Sequence, residues 1–297
     1  MTAILGGLGA AAMWAAANLM SSRASRLIGA SSTVAWMMLV GVAVAGSLSL
    51  ASGPVPSITP ALAGWMAISG LSGVIGQLFL YRGLRIGKVG VVTALASTEG
   101  AIAALLAVIA GERLTIPIAA TLCVIVVGIA TVAFAGGSAA SPAEWGVEPG
   151  APPMSAPAGN ERRAAMWGAL AAIGFGITVY STAQVGRSLP PLMAVLPVRA
   201  VGVVGVFIPM ALAGRLRLTR RAVPLVVLIG ALEVFGNASY VVGSRESIAI
   251  SAVLASQFAA VAAVAAFFLF RERLSLGQRS GVVAIAVGVA FLAAVRG

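Results

Sequence analysis

Three ionisable side chains sit where the chain is otherwise apolar. Glu99 follows Ser97-Thr98 and precedes Gly100-Ala101 inside a run of Ala, Leu and Val; Glu233 lies in a second such run and Arg199 in a third. A charge in apolar surroundings needs a partner or a water-lined cavity. Glu99 therefore reads in two ways. Facing a cavity, its carboxylate holds a substrate amine or exchanges a proton; packed among helices, it is glue satisfied by Thr98 and its neighbours. Glu233 precedes Gly236 by three residues and Asn237 by four, so the carboxylate and the amide share one helix face. Its partner is either a substrate or Arg199, and in the second case the pair is a scaffold in which each charge offsets the other's desolvation.

Amides and aromatics extend the set. Gln77 and Tyr81 are four residues apart, Asn237 and Tyr240 three, and Gln257 stands in a further apolar run. Such groups bind a zwitterion or a polyol when they converge, and bond helix to helix when they do not. Trp14 and Tyr180 lie deep in their runs, near Asn18 and Thr178, where they would wall a cavity and stack on a flat ligand; Trp65 and Trp167 lie near run ends, where an interfacial belt is the ordinary reading. No catalytic triad or metal cluster is assembled by spacing, and phosphate-loop, dinucleotide and ATP-hydrolysing motifs are missing. With no His and one Cys (Cys123), imidazole or thiolate metal ligation, haem and an intramolecular disulfide are excluded. A non-enzymatic protein without cofactors is expected.

The elements that must carry these groups are membrane helices. With 60% hydrophobic and 9% charged residues, the 297-residue chain cannot cover a water-soluble core, which takes roughly 25% charged residues. Its apolar runs are about 20 residues long, the length that crosses hydrocarbon. We read ten spans: 3–20, 31–50, 61–81, 89–110, 116–135, 164–184, 191–212, 222–242, 248–270 and 277–295. The first run lacks a basic flank and reads as a span rather than a signal peptide. The net charge of +11 does not imply nucleic acid, because the Arg residues sit in short links at headgroup level.

The chain also repeats itself. Gly83, Arg85, Glu112, Arg113 and Leu114 recur as Gly243, Arg245, Glu272, Arg273 and Leu274, each 160 residues on, and the register extends back to Gly70/Gly230 and on to Gly128/Gly288. Residues 1–135 and 164–297 are thus two five-span units, joined by a Pro- and Gly-rich segment at 136–163 that reads as a linker. An odd number of spans per unit inverts the second unit relative to the first, the arrangement of many secondary transporters. Both termini then share a side. Links after odd-numbered spans hold fourteen of the Lys and Arg residues and the remaining links and C-terminus four, which by itself puts the odd links in the cytoplasm.

The doubled Glu-Arg-Leu, with a glycine about sixteen residues on in each copy, resembles the drug/metabolite transporter superfamily, in its ten-span branch with two tandem EamA-type domains. The resemblance implies a multi-pass protein of the bacterial inner membrane with a central substrate cavity lined by the first, third, fourth, sixth, eighth and ninth spans. Trp14, Gln77, Tyr81, Glu99, Tyr180, Glu233, Asn237, Tyr240 and Gln257 all fall on those spans and are the expected substrate-binding residues. Where the family commonly has a proline thirteen residues before the Glu of Glu-Arg-Leu, this chain has Glu99 and Ala259, which removes the usual cause of a kink. The resemblance further implies cytoplasmic termini, against the charge count; cytoplasmic termini are the expectation taken forward. Two acids among amides and tyrosines suit a ligand bearing an amino group, so the leading expectation is an exporter of amino acids or related small metabolites, acting as a monomer among membrane lipids. The alternatives are a lipid-handling, flippase-like protein, a channel, or an exporter of drug-like cations or sugars.

Overall fold

A computed structural model describes residues 1–51, 56–86, 89–135, 161–258, 260, 261, 264, 265 and 276–296. The described residues are helical throughout, connected by short turns: α1 (Thr2–Ile28), α2 (Ala30–Ala51), α3 (Pro60–Ile86), α4 (Val89–Ala96), α5 (Glu99–Ile109), α6 (Ile116–Ala135), α7 (Glu161–Ser188), α8 (Pro191–Gly202), α9 (Ile208–Leu212), α10 (Val223–Ser244), α11 (Ile248–Ala255) and α12 (Leu276–Arg296). Among the described residues six helices are long and apolar enough to cross a membrane, and Glu99–Ile109, Ile116–Val132 and Arg279–Val295 are shorter apolar helices. Large apolar side chains also cover the outside, among them Leu5, Leu50, Leu105 and Ile116. Such a surface is solvated by lipid and not by water.

Local chemistry sets the helix ends. Gly29 has φ 82°, a value that costs glycine little, and it lets α2 begin one residue after α1 stops. Thr59 caps α3 by accepting from Leu62 N at 3.2 Å, with Pro60 at the first helical position. The seventh expected span is one rod made of α8, a π-helical turn at Val203–Phe207 and α9. It passes through Pro197 without a break. The irregular turn lies instead just before Pro209, whose missing N–H cannot continue the ordinary ladder.

Two spans expected to be continuous are interrupted. The first, 89–110, divides at Ser97-Thr98, and 248–270 turns at Ser256-Gln257, one residue short of a full repeat later. Neither place has a proline. At the first, Thr98 donates its hydroxyl to Leu95 O at 2.7 Å and its N–H to the same oxygen at 3.1 Å. Ser256 likewise donates its hydroxyl to Val253 O at 3.0 Å. Hydroxyls that bond back three residues compete with the helical ladder and do here what a proline ring does elsewhere.

The helix contacts follow the 160-residue repeat. Exchanging the halves carries the α3–α7 crossing onto α10–α1, α2–α10 onto α8–α3 and α4–α7 onto α11–α1, while α2–α8 and α6–α12 map onto themselves. The correspondence reaches single residues. Gly128 packs on Ile285 and Gly281, and Gly288 packs on Ile125 and Thr121. Hydroxyl pairs join α3 to α7, Ser69 with Thr182 at 2.6 Å and Ser72 with Thr178 at 2.8 Å.

Glu112 of the first Glu-Arg-Leu ties the halves together. Gly111, at φ 100°, ends α5 and turns the chain so that the Glu112 carboxylate meets the N-terminus of α11, accepting from Ser247 Oγ at 2.5 Å, Ile248 N at 3.1 Å and Ala249 N at 3.3 Å. Two backbone N–H groups that the helix cannot satisfy itself, and the hydroxyl of its capping serine, are thereby paired by a negative charge at the positive end of the helix dipole. Glu112→Ala is expected to destabilise the protein by about 2 kcal/mol, with Glu112→Gln recovering part of the loss. Thermal unfolding in detergent micelles measures both, and equal midpoints for all three proteins would show that the cap contributes nothing. The second copy, Glu272-Arg273-Leu274, lies outside the described residues, as do 136–160 of the expected linker.

Candidate functional site

Where α1, α2, α3, α5, α7, α8 and α10 converge, they leave a cavity of about 240 Å³. Its walls are apolar over Trp14, Phe175, Phe258, Met37, Met38 and Val198; its polar groups are Asn18, Gln77, Glu99, Thr178, Arg199, Glu233 and Asn237. Ser21, Ser25, Ala30 and Thr33 carry the lining toward the α1–α2 reversal at Gly29. Both repeats contribute: α1, α2, α3 and α5 from one, α7, α8 and α10 from the other.

The charges are arranged unequally. Arg199 donates from Nη2 to Glu233 Oε2 at 2.8 Å and to Glu233 O at 3.4 Å, and from Nη1 to Met38 Sδ at 3.7 Å. Its side chain is 4% exposed and that of Glu233 19%. Asn237 donates from Nδ2 to Glu233 O at 2.7 Å, one turn back along α10, so the amide helps to fix the carboxylate's helix turn. Arg199 Nε is buried without a partner among the described residues. Glu99 stands apart from the pair. It occupies the first position of α5, directly after the Ser97-Thr98 interruption, where the helix dipole favours a negative charge. Its carboxylate lines the cavity and makes no hydrogen bond or ion pair among the described side chains. The cavity thus holds two acids and one base, with the base committed to one of the acids.

Of the residues singled out in the sequence, Trp14, Gln77, Glu99, Glu233 and Asn237 line this cavity. Tyr180, Tyr240 and Gln257 do not. The Tyr180 hydroxyl accepts from Gln184 Nε2 at 2.7 Å while its ring meets Trp65 edge to face at 5.8 Å. Tyr240, 1% exposed, donates to Val179 O at 3.1 Å and joins α10 to α7. Gln257 is 2% exposed at the turn after α11, with Nε2 unpartnered among the described residues. Tyr81 lies on α3, and its side chain is outside those described. The lining that the sequence did not single out comes chiefly from α2 (Thr33, Val34, Met37, Met38) and from Phe175 and Phe258.

No group of three or more His, Cys, Asp or Glu among the described residues is placed to hold a metal ion. The arrangement suits reversible binding of a small cationic or zwitterionic solute between two halves of one bundle.

Comparison with known proteins agrees with this architecture. No curated protein matches the sequence. Eighteen chains of solved structures match it in fold. One, a crystal structure described only as that of a protein, superposes with a TM-score of 0.73 over 99% of this chain and 96% of its own, at 18% identity; likeness at that identity is likeness of fold. Residues 1–134 match the EamA-like transporter family. The chain is therefore a multi-pass helical membrane protein whose first 134 residues are related to the EamA-like transporters.

Proposed function

We propose that the protein is a secondary transporter of the bacterial inner membrane, built as ten spans in two inverted five-helix repeats, and that it moves a small solute bearing an ammonium group by alternating access through the cavity. The observation that carries this reading is Glu99: an acid on the cavity wall with no partner among the described residues, beside an Arg199–Glu233 pair that is already neutral. The exchange symmetry of the helix contacts and the paired interruptions at 97–98 and 256–257 support the inverted repeat, since a scaffold that reads alike from both faces can present one site to each in turn. A cavity of about 240 Å³ falls below the ~300 Å³ at which sites for drug-sized ligands begin. It favours metabolites over drug-like cations.

Within that class, amino acids and related amines are the substrates proposed. Arg199 has its Nη groups on Glu233 and Met38 and its remaining Nε buried, so a substrate carboxylate meets no open guanidinium edge, whereas an ammonium gains Glu99. Simple amines and amino-acid amides are therefore expected to compete at least as well as the free amino acids. Counterflow in liposomes containing only the purified protein, with labelled amino acids, amines, drug cations and sugars, tests this. Saturable counterflow of amines and amino acids is the expected result. Exchange confined to sugars, unsaturable flux, or lipid scrambling in place of solute exchange would each overturn it.

A further inference from the structure

The two halves present the cavity with unequal surfaces at one equivalent place. At the α3–α7 crossing Gly76 lies against Gly174, where a β-carbon on Gly174 would stand 2.7 Å from Gly76 Cα. The repeat carries this crossing onto that of α10 with α1, where Gly236 lies against Trp14. At both crossings an aromatic ring rests on the glycine, Phe175 on Gly76 and the larger Trp14 on Gly236.

That indole is held by its surroundings and not by its polar atom. Trp14 is 9% exposed and lines the cavity, and Phe258 meets its ring edge to face at 6.2 Å and 81°. Its edge rests on Gly236, so closely that a β-carbon there would stand 2.7 Å from Nε1 and 2.8 Å from Cδ1. Nε1 has no hydrogen-bond partner among the described residues. A buried N–H left unpaired costs stability that phenylalanine or leucine would not incur. Stability alone would select against tryptophan at this position, so the reason for it lies in the space it fills. On the other side Phe175 rests on the equivalent glycine, Gly76, with a smaller ring.

We infer that Trp14 sets the upper size of the solute the cavity admits, with Gly236 as the shelf that keeps the indole back from the centre. The inference rests on the transport reading above and adds to it the class of ligand: compact primary amines and amino acids whose hydrocarbon part fits the space Trp14 leaves. One methylene too many against an apolar pocket wall is discriminated by roughly 10- to 200-fold, so a residue that sets the wall position sets a limit.

Two substitutions should move that limit in opposite directions. Trp14→Phe removes half of the ring system and lets longer amines in; Gly236→Ala pushes the indole off its shelf toward the cavity and shuts them out. The experiment is inhibition of counterflow by straight-chain primary amines of increasing length, together with ligand-induced thermal shift on the same purified proteins. The longest amine that wild type rejects should gain about tenfold or more in Trp14→Phe, and the longest that it accepts should lose about tenfold or more in Gly236→Ala, with the shortest affected least in both. One size ranking shared by all three proteins overturns the inference and leaves the transport reading standing. If all three melt as folded proteins and no amine shifts or competes in any, the transport reading fails and the inference with it. Should Gly236→Ala not fold, Trp14→Leu beside Trp14→Phe makes the same comparison, and an unchanged ranking in both again overturns it.

Discussion

Glu99→Gln is expected to reduce transport of an amine substrate by about a hundredfold or more while leaving the melting behaviour of the protein close to wild type. The substitution keeps the shape of the side chain and removes its charge. Removing one partner of a buried, hydrogen-bonded charge pair costs about 2–5 kcal/mol, and each 1.4 kcal/mol is about tenfold in binding. No other group in the described lining can take over. Glu233 is bonded to Arg199 at 2.8 Å, and the remaining polar lining is amide and hydroxyl. Stability should change little, because Glu99 makes no side-chain hydrogen bond or ion pair among the described residues that glutamine would break. The measurement is counterflow in liposomes beside thermal unfolding in detergent. Unchanged transport would remove Glu99 from the mechanism, and a large fall in midpoint with unchanged transport would assign it to packing. Both outcomes are distinct from loss through misfolding, in which transport and midpoint fall together.

The architecture is legible in the chain because membrane helices announce themselves by length and because the repeat can be checked residue by residue. Gly128/Gly288 and Ile125/Ile285 are matched in the sequence and pack on one another's elements in the structure. The site is less legible, for a physical reason. A helix that is apolar all round gives depth from its numbering but no azimuth, since no polar face says which side meets lipid and which meets a neighbour. Tyr180 and Tyr240 lie at cavity depth and point between helices, toward Trp65 and Val179 O. Asn237 and Gln77 lie at matching depth and reach the lining. The interruption at Ser97-Thr98 also escaped, because a missing proline argues for a straight helix. A threonine hydroxyl bonding back to Leu95 O is an equally ordinary residue in intact membrane helices, so its effect shows only in the geometry.

Arg199→Met is expected to destabilise the protein by about 3–5 kcal/mol, and Arg199→Met combined with Glu233→Leu to restore most of that loss. The asymmetry follows from where the charges are. Arg199 is nearly enclosed at 4% side-chain exposure, so its solvation in the folded protein comes from Glu233 and Met38. Glu233 is more open but faces a cavity that Glu99 already makes acidic. Taking away the guanidinium leaves two carboxylates about one small chamber with no cation between them, and each penalises the other. Removing both members of the pair leaves Glu99 as the only ionisable group in the described lining, with no second carboxylate beside it to repel. Thermal unfolding of the two singles and the double forms a cycle whose coupling term measures the pair. Transport separates its two possible roles: a stable, active double variant means the pair is a scaffold that holds α8 to α10, whereas a stable but inactive one means the cation itself is used during the cycle. Glu99 supplies the reason to expect the first result, because an ammonium that binds there needs the excess acid and not the neutral pair.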